Sequence, residues 1–225
     1  MLRKISTFAA VGALALGVGA CGDDDDEKAG GNSAAASEQA NKPEPVAKID
    51  TLTGDTTKVT LDAGFVEALT ALKVTPGPVG DASISKKGVA TFPITGGNVT
   101  YYEPGSISPF VQGLVEHDGS GLSLEAGGKK VELTDFDVDP GTSTLTGKVT
   151  VDGEEAAPAA PLFFLDGRTL EPLRTNEDGS KAVLEGTTVK LKAEAADLLN
   201  QTFGIEDLKE GLVIGVAKIT VDTGA

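Results

Sequence analysis

Turn signals cut this chain into strand-length pieces. Gly96-Gly97, Asp118-Gly119, Gly127-Gly128, Asp139-Pro140-Gly141, Asp152-Gly153, Asp166-Gly167 and Asp178-Gly179 recur between apolar runs of strand length. Asp and Gly accept the positive φ that tight hairpin turns demand, so such pairs between apolar runs mark strand ends. The runs between them are rich in Val, Leu and Thr, which suit a pleated, half-buried surface. They cover 56–61, 89–94, 98–102, 110–116, 121–125, 129–138, 143–151, 161–165, 182–185, 188–192 and 212–221. Only two segments have helical spacing. Asp62 can cap a helix over 63–73 with Phe65, Leu69 and Leu72 on one face, and Thr75-Pro76-Gly77-Pro78 stops it. A second helix fits 193–203, with Ala196, Leu199 and Phe203 on one face and Gly204 able to end it. Many short strands with two short helices predict an all-β fold, an antiparallel β-sandwich or flattened barrel, over residues 55–225.

One strand breaks its own parity. Val131 and Leu133 point one way, while Phe136 and Val138 have the opposite parity. A strict period of two cannot bury all four on one face. Either a bulge sits near Thr134-Asp135 or both faces are covered.

The N-terminal residues speak to location. Leu2-Arg3-Lys4 is a short basic start, followed by an apolar run over 5–18 that ends in Val18-Gly19-Ala20-Cys21. The run is too short to span a bilayer and closes on small residues, the pattern of a processed leader. The layout is that of a bacterial lipoprotein signal peptide over 1–20, with Cys21 as the lipidated residue. Residues 21–54 then predict a solvated tether. Asp23-Asp24-Asp25-Asp26-Glu27 is a like-charge run, and the Gly, Ser, Ala, Asn, Glu and Pro after it offer little to bury. The expected location is extracytoplasmic, at the cell membrane or cell surface, with lipid as the membrane attachment.

Charge and composition exclude several functions. The formal net charge is −15, with 19 basic against 34 acidic side chains. Nucleic acid is therefore not an expected partner, and an anionic membrane would repel the domain itself. Cys21 is the single cysteine, so no disulfide, thiolate metal site or cysteine nucleophile is available once it carries lipid. No Walker loop, dinucleotide fingerprint or Gly-x-Ser-x-Gly elbow occurs. Carboxylate pairs for hydrolysis are numerous, but with no Trp and two Tyr the chain lacks the aromatic platforms of a sugar site. A non-catalytic domain, binding or structural, is the expectation, with an envelope protein as one class of partner.

Three constellations could carry binding chemistry. His117, the one histidine, stands in Glu116-His117-Asp118-Gly119, where a strand meets a turn signal. A neutral imidazole there could ligate a metal or a haem iron, or it could be a surface histidine beside a hairpin. Tyr101 and Tyr102 are adjacent at a strand end and face opposite ways. One belongs to core or rim, and the other could serve as a phenolate ligand or stacking platform. Asp135, Asp137 and Asp139 alternate along one strand, a weak cation candidate or a solvated acidic face, without the spacing of an EF-hand loop.

The order of elements resembles that of the HtaA-type haem-binding domains of bacterial surface proteins. The likeness runs through Leu61-Asp62-Ala63-Gly64-Phe65-Val66-Glu67-Ala68-Leu69, then Phe92-Pro93, then Glu116-His117-Asp118-Gly119-Ser120-Gly121-Leu122-Ser123-Leu124, and then 131–139. The resemblance implies haem as a cofactor, held in that family by a tyrosine of the early helix region and the histidine of the later segment. His117 matches the histidine. The early helix offers Phe65 and no tyrosine, and the family's early tryptophan is missing. The implied ligand set here is His117, alone or with Tyr101 or Tyr102.

Overall fold

The computed structural model describes residues 42–224. Cys21, the leader and the acidic run lie outside the described residues. The elements are β1 (Ala47–Ile49), β2 (Asp55–Leu61), α1 (Ala63–Ala71), β3 (Thr75–Gly80), β4 (Ser83–Ile84), β5 (Val89–Pro93), β6 (Gly96–Tyr101), β7 (Val111–Ala126), β8 (Lys129–Asp139), β9 (Thr144–Val151), β10 (Glu154–Asp166), a 3-10 turn (Gly167–Thr169), β11 (Arg174–Thr175), β12 (Lys181–Leu191), α2 (Ala193–Phe203) and β13 (Val213–Asp222).

These strands form one antiparallel sheet in the order β1-β6-β7-β8-β9-β10-β12-β13-β2-β5-β4, with β11 paired to β12 and β3 to β7. The sheet curls into a half-barrel. Its far end returns toward β7: the Thr95 amide donates to the Glu116 carbonyl at 2.9 Å, and the Asp118 amide donates to the Thr95 hydroxyl at 2.9 Å. Curling lets one sheet bury its own concave face, so no second layer is needed. The core follows that face and includes Ala90, Phe92, Val115, Phe136, Val138, Leu165, Val189 and Ala217.

Both helices form where capping and spacing place them. The Asp62 carboxylate accepts from the Gly64 and Phe65 amides at the start of α1. Gly204, at φ 68°, ends α2 in the left-handed conformation, and Ala195, Ala196 and Leu199 bury the face of that helix against β8 and β10.

The parity conflict in β8 resolves as a bulge. Asp135 has φ 53°, and the register with β9 slips between Thr134 and Asp137. The extra residue turns Phe136 and Val138 inward with Val131 and Leu133, and all four are buried. A matching slip lies opposite on β7, between His117 and Gly121.

Four local expectations need correction. Asp118-Gly119 does not end a strand, because β7 runs through it as a bulge. The Gly119 amide donates to the Asp135 carboxylate at 2.9 Å, so a side chain of the facing bulge satisfies the donor that a hairpin would have used. Gly96-Gly97 opens β6, and segments 182–185 and 188–192 join as β12, bulged at Gly186 with φ 109°. Ordered structure also begins upstream of Asp55: inside the expected tether, β1 pairs with β6 and Leu52 is buried.

The crossing of the two bulges leaves no room for a side chain at Gly121. A Cβ there would overlap the Leu133 carbonyl and come within 2.8 Å of the Thr134 Cα. Gly121→Ala should therefore lower unfolding free energy by about 3 kcal/mol. Gly167→Ala, where a Cβ meets nothing within 4 Å, should change it by less than about 0.5 kcal/mol. Urea denaturation of both variants checks this.

Candidate functional site

The concave face of the half-barrel holds a cavity of about 560 Å³. Its wall is overwhelmingly apolar, with Val59, Phe92, Val115, Phe136, Leu165 and Val189 among its residues. That volume lies within the range of small-molecule and cofactor sites. Val111, Val115 and His117 of β7 all line it, so it extends about 20 Å along that strand at roughly 3.3 Å per residue.

His117 is the polar centre of the inner end. Its position before the β7 bulge turns the ring inward, and it is only 1% exposed. Nδ1 lies 3.2 Å from the Phe136 carbonyl, and Nε2 lies 2.8 Å from the Thr57 hydroxyl. A carbonyl can only accept, so Nδ1 carries the proton and Nε2 accepts from Thr57. Phe92 stands edge-on to the imidazole at 6.4 Å and to Phe136 at 5.4 Å. Burial among these rings lowers the His117 pKa from 6.5 to about 4, against smaller opposing effects of the Phe136 and Val115 backbone and of Asp118. The imidazole is therefore neutral near pH 7, with its Nε2 lone pair on the cavity side, next to Thr57.

Thr57 is the residue that inspection of the sequence missed. It shares strand parity with Val59 and Leu61, all three lining the cavity. A buried hydroxyl in an otherwise apolar inward stripe needs a partner, and that was the available signal.

The tyrosines separate. Tyr101 lines the cavity beside Phe110, edge-on at 5.7 Å, and its hydroxyl lies 3.5 Å from the Leu173 amide. It pairs with Val111, six residues along β7 from His117, so it belongs to the opposite end. Tyr102 is buried away from the cavity with the Lys42 ammonium 5.1 Å from its ring centre. Phe65 packs against the core from α1 and does not line the cavity.

The aspartates of β8 do not form one face. The bulge breaks their alternation at Asp135, which accepts from Gly119 and Thr134. Asp139 accepts from the Thr142 amide and hydroxyl in the following turn. Partial burial, then the charges of Asp118 and Asp135, push the Asp137 pKa up. Among the described residues no group of three or more His, Cys, Asp or Glu side chains is arranged to hold a metal ion.

A second polar cluster lies at the end of β10, on the face that carries Phe164 and Lys190. Buried Asp166 ends β10 and accepts from the Arg168 amide at 3.2 Å, Arg168 Nε at 2.8 Å, Arg168 Nη2 at 2.6 Å and Lys190 Nζ at 2.8 Å. These donors, Arg168 foremost, hold its carboxyl far below the usual carboxylate range. Asp166-Gly167, expected to be a hairpin turn, opens the 3-10 turn that presents Arg168.

No family model and no curated protein matches this chain. Among solved structures it is similar to the C-terminal domain of HtaA from Corynebacterium glutamicum, with a TM-score of 0.53 and 12% identity, covering 78% of this chain and 99% of that one. The haem-binding protein HtaB from the same organism aligns at a TM-score of 0.45 and 12% identity, over 78% of this chain and 96% of that one. The likeness to the HtaA domain shows an HtaA-type fold.

The buried imidazole makes stability depend on pH. The unfolded chain takes up a proton at His117 near pH 6.5, and the folded chain does so only near pH 4. Its contribution is complete above pH 6.5 and is lost as pH falls toward 4. The loss should reach about 3 kcal/mol. Urea melts of the natural chain and of His117→Gln between pH 7 and 4 isolate it, because the carboxylates common to both cancel in the difference.

Proposed function

We propose that this is a non-catalytic, lipid-anchored envelope protein whose half-barrel binds haem, with His117 as the axial ligand. The observation that carries the reading is the neutral, buried imidazole on an apolar cavity wall, its Nδ1–H tied to the Phe136 carbonyl and its Nε2 on the cavity side. A carbonyl that accepts from one ring nitrogen fixes the tautomer and orients the other nitrogen for a metal. The HtaA-type fold, together with the sequence resemblance to haem-binding domains of that type, supports the same ligand.

The donor set fits such a group through one residue. Haem would supply an iron able to take a nitrogen ligand. His117 offers the lone pair, and the burial that keeps it neutral keeps that pair available at pH 7. Phe92 and Phe136 hold the ring from the side. Thr57 competes, because its hydroxyl must turn away from Nε2 before a metal can take that nitrogen. Tyr101 sits at the other end of the cavity, which favours ligation by His117 without a phenolate on the same side.

Haemin titration of the purified chain should give a saturable Soret shift at one equivalent, lost in His117→Gln. An equal shift in the variant, or none in either protein, would sink the proposal. Thr57→Val should tighten haemin several-fold by releasing Nε2, while costing the ligand-free protein about 1 kcal/mol for the lost hydrogen bond.

The basic start, the apolar run over 5–18 and the small residues before Cys21 support the lipid anchor. Two or more acyl chains hold a protein stably at a membrane, where a surface of this charge would otherwise be repelled. Cys21→Ser expressed in a bacterial host should leave the membrane fraction and lose radiolabelled palmitate. Retention of label in the variant would place the modification elsewhere.

A further inference from the structure

A strap closes the far end of the cavity, where Tyr101 stands. Residues 167–175 leave β10 after Asp166, run beside β12 and end as β11, which pairs with Val183 and Ala182. Leu170 and Leu173 are the two half-buried side chains of this otherwise exposed stretch. Both line the cavity, as do Ala182 and Leu184 of the adjoining β12. Two apolar side chains sheltered within an exposed segment mark the side it turns to the cavity.

The strap is fastened firmly along one wall and lightly to the other. Arg168 bonds Asp166 of β10. The Thr169 hydroxyl donates to the Gly186 carbonyl at 2.6 Å, the Glu171 amide donates to the Glu185 carbonyl at 2.8 Å, and Arg174 pairs with Glu185 at 2.6 Å. Gly186 lets the strap lie against β12, since a Cβ there would overlap the Thr169 carbonyl. The tie to the opposite wall is the Leu173 amide, 3.5 Å from the Tyr101 hydroxyl. Among the described residues no other hydrogen bond or ion pair joins the strap to β1, β6 or β7. In the sheet order β7, β8, β9 and β10 separate β6 from β12, so this contact crosses the concave face. Its length puts it among the weak hydrogen bonds. Tyr101 and Val111 are buried yet stand apart from the connected core, so parting the strap from Tyr101 leaves that core intact.

We propose that residues 167–175 gate the cavity: the strap parts Leu173 from Tyr101 to admit or release the ligand, and closes again to seal the apolar space from water. Leu170 and Leu173 are the closing surface, and the Tyr101 hydroxyl is the latch. A latch of one weak bond suits this task, because it opens at small cost while the bonds to β10 and β12 keep the strap in place. The inference rests on the cavity being the binding site, as proposed above, and is independent of iron ligation by His117.

Thiol labelling reads the gate without any ligand. In a purified Cys21→Ser chain, Val115→Cys puts the sole thiol on the cavity wall, and Val131→Cys puts it in the core away from the cavity. Adding Tyr101→Phe removes the hydroxyl and keeps the ring. It should speed maleimide labelling of the Val115→Cys chain about threefold, the effect of one weak hydrogen bond, and leave the Val131→Cys chain unchanged. Leu173→Ala keeps the amide, removes the closing side chain and should also speed the Val115→Cys chain alone. Equal acceleration of both chains would report a general loss of stability, and no acceleration of the Val115→Cys chain would report a wall already open. Either result overturns the proposal. Stopped-flow mixing with haemin then ties the gate to the ligand. Tyr101→Phe should speed haemin entry and release by the same factor of about three, because one opening step serves both. Faster release with unchanged entry would make Tyr101 a ligand contact and overturn the latch. Selective labelling in a chain that takes up no haemin would uphold the gate and overturn only the haem reading.

Discussion

The hydrogen bond from Thr57 to His117 ties together two strands that are not neighbours. In the sheet order, β8, β9, β10, β12 and β13 separate β7 from β2, so this 2.8 Å contact is made only because the sheet curls. It joins the two walls across the concave face. An imidazole and a hydroxyl buried among phenylalanines are tolerable only while they satisfy one another, since an unpaired buried polar group costs about 1–3 kcal/mol. The curl, the two bulges and the tautomer of His117 therefore depend on one arrangement: inward bulged strands, a carbonyl from one of them on Nδ1, and a hydroxyl from the opposite wall on Nε2.

Around that pair the cavity is apolar: a neutral imidazole stands at one end, and aliphatic and aromatic side chains form the walls. The acidic surface matters for what can approach. Long-range attraction of an anionic ligand is absent at this net charge, so recognition must rest on short-range contacts with the cavity wall.

Much of the fold is visible in residue patterns. Helix α2 spans the residues that its spacing and Gly204 define, because an amphipathic stripe and a left-handed cap are local properties. The β8 bulge is legible from the clash of parity between Leu133 and Phe136. The turn pairs mislead in particular places. Asp118-Gly119 has the chemistry of a hairpin, yet Asp135, sixteen residues away, takes the Gly119 amide and keeps β7 running. Gly186 likewise bulges β12 instead of ending it. A local rule fails there because the deciding partner is distant in sequence.

By its sequence alone this chain declares a β-rich domain and a lone histidine in a family-like segment, since period, capping and turn chemistry need only near neighbours. Tertiary structure decided that the sheet would curl on itself, that His117 would be buried and neutral, that Thr57 would face it, and that Tyr101 would stand at the far end of the same cavity. Those outcomes come from strand pairings dozens of residues apart, whose energies lie in register and burial and leave no local mark on the residues that meet.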